Sequence, residues 1–220
     1  MNIEMNLKGF SFEIEGVGLT SFRKIGAAAI HNTYSVPPPT TILGLLSNAL
    51  GLGRDNLSLQ DKNLKASAMP LRNKEKTQSL VKMFQIKEKA LKPSIFIKEY
   101  LVEPRYKIFL VGDEDIIKKS HDVLSDPKRP LYLGDSDTMA IIFNKSPILD
   151  VDENAKSKVI NSWVRGIICE SCEICKLPTK FEKKRSWSVY TELYSIPIKE
   201  RVDSDGYITC YKIGDEYVHC

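Results

Sequence analysis

The sequence predicts an α+β domain of ferredoxin-like order, β-α-β-β-α-β, and three observations carry that prediction. Apolar residues alternate at Phe10, Phe12 and Ile14, as in a strand with one buried face. Ile42, Leu45, Leu46, Ala49 and Leu50 then repeat at helical spacing. After at least two further strand-like runs, a second helical stripe appears at Ile116, Ile117, His121 and Leu124.

The first strand opens with alternation at Ile3, Met5 and Leu7, and its phase shifts across Gly9, which predicts a bulge there. Gly16 and Gly18 turn the chain into Leu19 to Lys24. Phe22, Arg23 and Lys24 set a flat ring beside two cations, a combination that either stacks a base and holds a phosphate or fills the core beneath surface charge. A small-residue loop from Gly26 to Asn32 carries His31 near its end.

Tyr34 to Gly51 reads as a helix with its entry and exit. Pro37, Pro38 and Pro39 fix φ and push Val36 toward an extended conformation. The hydroxyl of Thr40 or Thr41 is the expected cap, and Gly51 and Gly53 supply the stop. Gly44 stands mid-helix at about 1 kcal/mol against alanine, which suggests another backbone passing close by.

Residues 52 to 80 are polar and weakly periodic and read as helix end plus loop. Lys82 to Ile86 and Pro93 to Glu103 read as two strands joined by Lys87 to Lys92, a basic hairpin projecting from the body. Tyr106 to Val111 is a further strand, and Asp113 to Leu124 is a helix with an acidic start. Arg129 to Ser136 links it to a last strand, Thr138 to Phe143, and Gly134 permits a tight turn or close approach to a ligand.

Lys145 to Lys158 reads as a linker and polar segment, followed by an apolar stripe at Trp163, Val164, Ile167 and Ile168. Val189 to Val218 alternates enough for two short strands around Asp205 and Gly206. The expected organisation is a main domain over 1–145, with a hairpin insertion at 82–103, and a small β-containing extension over 146–220.

The 220 residues, 42% apolar and 27% charged, have the composition of an ordinary globular protein. No apolar run approaches the roughly 20 residues of a membrane span, and the start lacks a signal-peptide layout, so a cytoplasmic location without membrane partners is expected. In that setting the five cysteines are expected as thiols or metal ligands. Net charge is +4, yet residues 62–98 hold ten cations against Glu75 and Glu88, leaving the remainder at −4. One basic region on an acidic body is the footprint of a polyanion ligand or a solvated lysine-rich loop.

Cys169, Cys172 and Cys175 form a Cys-x2-Cys-x2-Cys run, with Cys210, His219 or Cys220 available to complete four zinc ligands. On a helix the same spacing would merely gather three small apolar residues near one face. The fourth cysteine followed by proline of an iron–sulfur run is absent. So are a Walker-type phosphate loop and a Gly-x-Ser-x-Gly elbow.

Ser21-Phe22-Arg23, then Tyr-Ser-Val-Pro-Pro from Tyr34, Thr-Thr-Ile-Leu-Gly-Leu from Thr40, and Ala49-Leu50-Gly51 resemble the CRISPR-associated RAMP superfamily. The resemblance is to its Cas-five family, the subunit of the type I Cascade effector complex that binds the 5′ handle of CRISPR RNA. Arg-Pro-Leu-Tyr-Leu-Gly-Asp-Ser at 129–136 and Glu99 to Tyr106 match further segments in the expected order. The resemblance implies an RRM/RAMP domain whose hairpin is a thumb reaching toward RNA and a neighbouring backbone subunit. It implies partners as well: CRISPR RNA, a Cascade backbone subunit and a large subunit, with target DNA met through the complex in antiviral defence.

RNA contacts are then expected at Phe22, Arg23 and Lys24, at Lys82, Lys87, Lys89, Lys92 and Lys98, and at Gly134. The implied role is non-catalytic, gripping the handle and capping the backbone filament. One branch of the family cleaves precursor CRISPR RNA without metal, using a tyrosine near the end of the first helix with a lysine and a histidine. That position falls around Leu50 here, and His31, Tyr34 and Lys24 are the best substitute set for the alternative, a metal-independent endoribonuclease. The family pattern does not predict the cysteines.

Overall fold

The computed structural model of this chain describes residues 7–26, 30–72, 75–87, 90–169, 171–184, 186–198 and 200–220. It is an α+β structure, mostly sheet, with two helices among the described residues. None of these helices is long and apolar enough to cross a membrane.

Strand β1 (Lys8–Gly16) turns Phe10, Phe12 and Ile14 into one core. Its antiparallel register with β7 (Arg105–Gly112) runs unbroken from Lys8 opposite Gly112 to Glu15 opposite Arg105. The bulge expected at Gly9 is therefore absent. A Cβ there would stand 2.9 Å from the Leu110 carbonyl oxygen, so the glycine serves close strand packing. Ile3 and Met5 lie outside the described residues. β7 is apolar on both faces because both are covered: Tyr106, Ile108 and Leu110 join the larger core, Phe109 and Val111 a second one.

Helix α1 (Pro39–Ala49) begins ahead of both threonines, correcting the expected cap. Pro38 is the N-cap, its carbonyl accepts from the Thr41 and Ile42 N–H groups, and no side-chain cap forms. Pro39 at the first helical position has no N–H to satisfy, so the threonines fall inside the helix. Gly51, at φ +73, ends it as expected, and the Leu52 N–H reaches back to the Ser47 carbonyl at 2.9 Å.

The stretch expected as loop contains β4 (Leu64–Pro70), which pairs along β7 from Leu64 opposite Gly112 to Pro70 opposite Tyr106. Helix α2 (Glu114–Ser125) buries Ile117, Val123 and Leu124, and β8 (Ala140–Phe143) pairs with the second half of β1. The central strands thus run β8-β1-β7-β4, all antiparallel, with α1 between β1 and β4 in sequence and α2 between β7 and β8. Residues of both helices share one core with Phe10, Phe12 and Ile14.

The expected linker is β9 (Leu149–Ile160), which meets β1 at Lys8 and Gly9 and then pairs with β13 (Val202–Ile213). Asp205 and Gly206 lie inside β13 rather than in a turn, and the chain reverses at Gly214, φ +58, into β14 (Glu216–Val218). The sheet curls until its ends communicate: Ser67 Oγ of β4 donates to the His219 carbonyl at 2.7 Å, just past β14. A second sheet orders β10 (Val164–Arg165), β12 (Trp187–Pro197) and β11 (Cys172–Lys183). Its Leu177, Tyr194 and Ile196 join Trp163 and α1 in the larger core.

Candidate nucleic-acid interface

The hairpin is longer and tighter than expected. Strands β5 (Lys76–Lys87) and β6 (Ala90–Val102) pair from Lys76 opposite Leu101 to Lys87 opposite Ala90. The base of β6 is held on its other edge by β2 (Leu19–Thr20), antiparallel, and β3 (Ile30–His31), parallel. Leu80, Phe84, Ile95 and Leu91 sit on one face by alternation and register, and all are exposed, Leu80 and Ile95 to 72%. The hairpin is therefore not simply basic.

Cations in and beside the hairpin are partly neutralised, by acids of the hairpin itself and of other segments. Arg72 lies 3.4 Å from Glu15 and 3.6 Å from Glu103, and Lys76 is 3.5 Å from Glu99. Lys98, expected as a phosphate contact, is largely buried and paired with Asp135. Lys82 is exposed, its ammonium 5.6 Å from the Phe84 ring, and Lys92 is exposed as well. Lys87 ends β5, while Lys89 lies outside the described residues.

The 19–24 and 30–34 segments lie against each other: the Lys24 N–H donates to the Asn32 carbonyl at 2.8 Å and the Tyr34 N–H to the Phe22 carbonyl at 2.9 Å. Phe22 is 3% exposed and packs on Tyr106 at 5.9 Å, so it is a core residue and offers no ring to a base. The physical reason is the β7 tyrosine beneath it, which completes an apolar environment. Arg23 remains exposed, and the Lys24 ammonium lies 5.6 Å from the Tyr34 ring.

Gly134 carries the close approach its residue type suggested, to the chain itself. At φ +82, a Cβ there would stand 2.4 Å from the Ser21 carbonyl oxygen and 3.2 Å from the Phe22 ring. The 129–136 loop is thereby seated beside Arg23 and Lys24, two distant segments brought together.

His31 does not present a general base. It is 4% exposed and stacks on Phe96 at 4.9 Å, and burial, reinforced by Arg23 and Lys98, holds its imidazole below the ordinary value against an opposing Asp135. Tyr34 is buried and its hydroxyl is pushed up by desolvation. The substitute set His31, Tyr34 and Lys24 thus faces the interior more than a substrate.

Among the described residues the cysteines do not come together as a set of metal ligands, although Cys169, Cys172 and Cys210 pack on one apolar cluster. Cys169 and Cys172 are joined as a disulfide, correcting the expectation of thiols or metal ligands at those two positions, while Cys175, Cys210 and Cys220 are free thiols. Cys175 packs against the larger core while Cys210 is buried in the cluster of Ala155 and Val202. Burial pushes both thiols up, which disfavours the thiolate a metal needs. Among the described residues no group of three or more His, Cys, Asp or Glu is arranged to hold a metal ion.

Sequence reasoning missed a cleft of about 430 Å³ between α1, the 52–60 segment, the 129–136 loop and Phe181 of β11. Arg129 forms one wall, donating to the Gly51 and Leu52 carbonyls at 3.0 and 2.8 Å. Gly44 opens onto it, and a Cβ at that position would meet nothing within 4 Å. The expected nearby backbone is absent, so the mid-helix glycine was the one signal of this cleft.

A family model described as CRISPR-associated protein (Cas_Cas5) matches residues 18–142, from the turn before β2 into β8. The chain belongs to the Cas5 family. The matched span contains Arg23, the hairpin, α1 and the Gly134 loop. Solved structures share the fold at low identity. A chain described as CRISPR RNA-guided surveillance complex aligns at 15% identity and TM-score 0.60, covering 95% of each chain. A CRISPR protein from Archaeoglobus fulgidus aligns at 16% and TM-score 0.54, covering 97% of this Cas5 chain and all of its own. A chain of the Type III-B Cmr-beta complex bound to cognate target RNA and AMPPnP aligns at 13% and 0.53, covering 88% and 86%. No curated protein matches.

Proposed function

We propose that this Cas5 chain is a non-catalytic subunit of a type I CRISPR effector complex, which binds the 5′ handle of CRISPR RNA and caps the backbone filament in antiviral defence. The observation that carries the reading is the family match over 18–142, which spans both halves of the Arg23–Lys24 and Gly134 neighbourhood. The order β8-β1-β7-β4 with its two helices supports a ferredoxin-like RAMP core over 1–145, and the β5–β6 hairpin is its thumb. Residues 146–220 are the extension. Arg23, Lys24, Lys82 and Lys92 meet phosphates, and the exposed apolar face of the hairpin meets a neighbouring subunit. The partners are CRISPR RNA, a backbone subunit and a large subunit, in the cytoplasm.

One gel tests this: labelled repeat RNA with purified protein in EDTA across a salt series. Intact RNA in a salt-sensitive shifted complex is expected, and Arg23→Ala with Lys24→Ala lowers the salt slope by roughly one unit for each lost phosphate contact. No shift, alone or with co-expressed partner subunits, overturns the reading. Discrete cleavage products would replace it with the endoribonuclease.

A further inference from the structure

We infer that the cleft beside α1 receives one nucleotide of the bound RNA, its base against the helix at Gly44 and its phosphate at Arg54 and Arg129. The inference rests on the RNA-binding reading above and adds a position at which the RNA is read.

Gly44 is the first ground. Glycine inside a helix is unfavourable against alanine. At Gly134 and Gly9 the neighbouring chain excludes a side chain, whereas at Gly44, exposed on the helix, nothing does; Gly18, Gly26, Gly53 and Gly206 are open too, but none of them stands inside a helix. The room is left to something outside the chain, and a bare helix backbone lets a flat ring lie close.

Charge gives the second ground. Arg54 and Arg129 line the cleft and no carboxylate does. The acids of the adjoining segment are engaged elsewhere, Asp55 with Lys183 at 3.2 Å and Asp61 with Lys180 at 3.6 Å. Two other cavities among the described residues each hold acids, Glu200 and Asp203 in one and Glu192 in the other. The cleft beside α1 is thus suited to an anion.

Hydrogen bonding sharpens the class. Gln60 Oε1 already accepts from the Phe181 N–H at 2.7 Å, and Asn56 Oδ1 from the Ser58 N–H at 2.9 Å. Both side chains therefore have their NH2 groups left to donate, and both line the cleft. Leu43, Leu57 and Phe181 supply apolar wall, and the half-exposed Tyr132 a ring at the rim. An acceptor-rich planar group carrying a negative charge satisfies all of these, and a nucleotide is such a group. The volume suits one small ligand, within the range of about 300–1,000 Å³ for such sites.

One loop links the cleft to the basic segment. Gly134 and Ser136 line the cleft, and Gly134 rests on Ser21 beside Arg23 and Lys24. Of the two acids beside that path, Asp135 is paired with Lys98, and Asp137 accepts from Ser136 Oγ at 3.3 Å.

The test combines Gly44→Phe with an abasic scan of labelled repeat RNA, read by fluorescence anisotropy and accompanied by thermal melting. Wild-type protein is expected to lose about tenfold in affinity when one particular base is removed. Gly44→Phe is expected to melt no lower than wild type, to bind intact RNA about tenfold more weakly, and to lose nothing further at that one abasic position. Arg54→Gln, on the exposed rim, is scored in the same scan and should flatten the salt dependence, so the test does not depend on one variant folding. Variants that bind like wild type, or effects that add independently at every position, overturn the inference while leaving RNA binding intact. Intact RNA affinity with loss of partner-subunit assembly assigns the cleft to a protein segment and overturns it too. A wild-type protein that binds no RNA overturns the underlying reading instead.

Discussion

At Gly134 the chain itself occupies the space a side chain would take; at Gly44 that space is open. At Gly134 the backbone takes a left-handed turn, and the Ser21 carbonyl sits where a side chain would go, 2.4 Å from a Cβ. At Gly44 the backbone is ordinary helix, and beyond that helix's own backbone a Cβ would meet nothing within 4 Å. The first glycine is explained entirely by the fold. The second is not, and the difference separates a residue that makes the site's shape from one that keeps its space. Substitution should therefore act with opposite sign at the two positions.

The larger effect is expected at Gly134. Gly134→Ala forces an L side chain into positive φ and drives it against backbone that cannot rotate away. A loss of about 2–4 kcal/mol in chemical denaturation is expected from strain and overpacking together. RNA binding by the folded fraction should also weaken, since the 129–136 loop must lift off Ser21 and Phe22. A neutral Gly134→Ala would break the comparison, because the tight seat would then be unnecessary.

Gly44→Ala is the opposite case. It restores helix propensity and meets no neighbour, so a gain of about 0.5–1 kcal/mol is expected in the same denaturation experiment. A measured loss would mean that the helix needs its glycine, and the open space would lose its significance.

The two glycines also mark what the sequence could convey. Both were legible as positions needing a backbone explanation, but only coordinates distinguish a filled gap from an empty one. β7 and α2 were legible because Tyr106, Ile108, Leu110 and Ile117, Leu124 are large apolar residues at clear spacing. β4 was not, since Ala66, Ser67 and Ala68 are small and carry almost no alternation, yet they are buried. β9 was hidden by Asp150, Asp152 and Glu153, which lie on a largely exposed strand where carboxylates carry little penalty; Asp150 even pairs with Lys8 at 2.6 Å.

Phe22 illustrates the limit at the site. Its local sequence suits a stacking platform or a core residue equally, and Tyr106, far downstream, decides for the core. Charge behaves likewise. The run of ten cations was real, but Glu15, Glu99, Glu103 and Asp135 reach Arg72, Lys76 and Lys98 from outside that window. A one-dimensional charge count cannot see pairing across a fold, so the exposed remainder of the hairpin is less basic and more apolar than expected.

The smallest expected effect separates the two regions by pH. Beneath the Gly134 side, His31 is buried against Phe96, with Arg23 and Lys98 disfavouring its proton and Asp135 only partly opposing them. Its folded affinity for a proton is thus below the ordinary value of 6.5, so the unfolded chain binds that proton more readily. The stabilisation is fully present above pH 6.5 and is lost progressively as pH falls from there through the depressed folded value. His219 is depressed by burial too, but it lies past β14, against Ser67 of β4 and Ser162. Amide exchange at pH 7 and pH 5 should therefore show protection falling first in 19–24, 30–34 and 131–136, while α1, which contains no histidine, holds. His31→Gln should remove that local response without removing the global one due to His219. Equal loosening of α1 and the Gly134 loop would show that the two regions open as one unit, and the contrast between the filled glycine and the open one would then be a matter of geometry alone, without separate stabilities behind it.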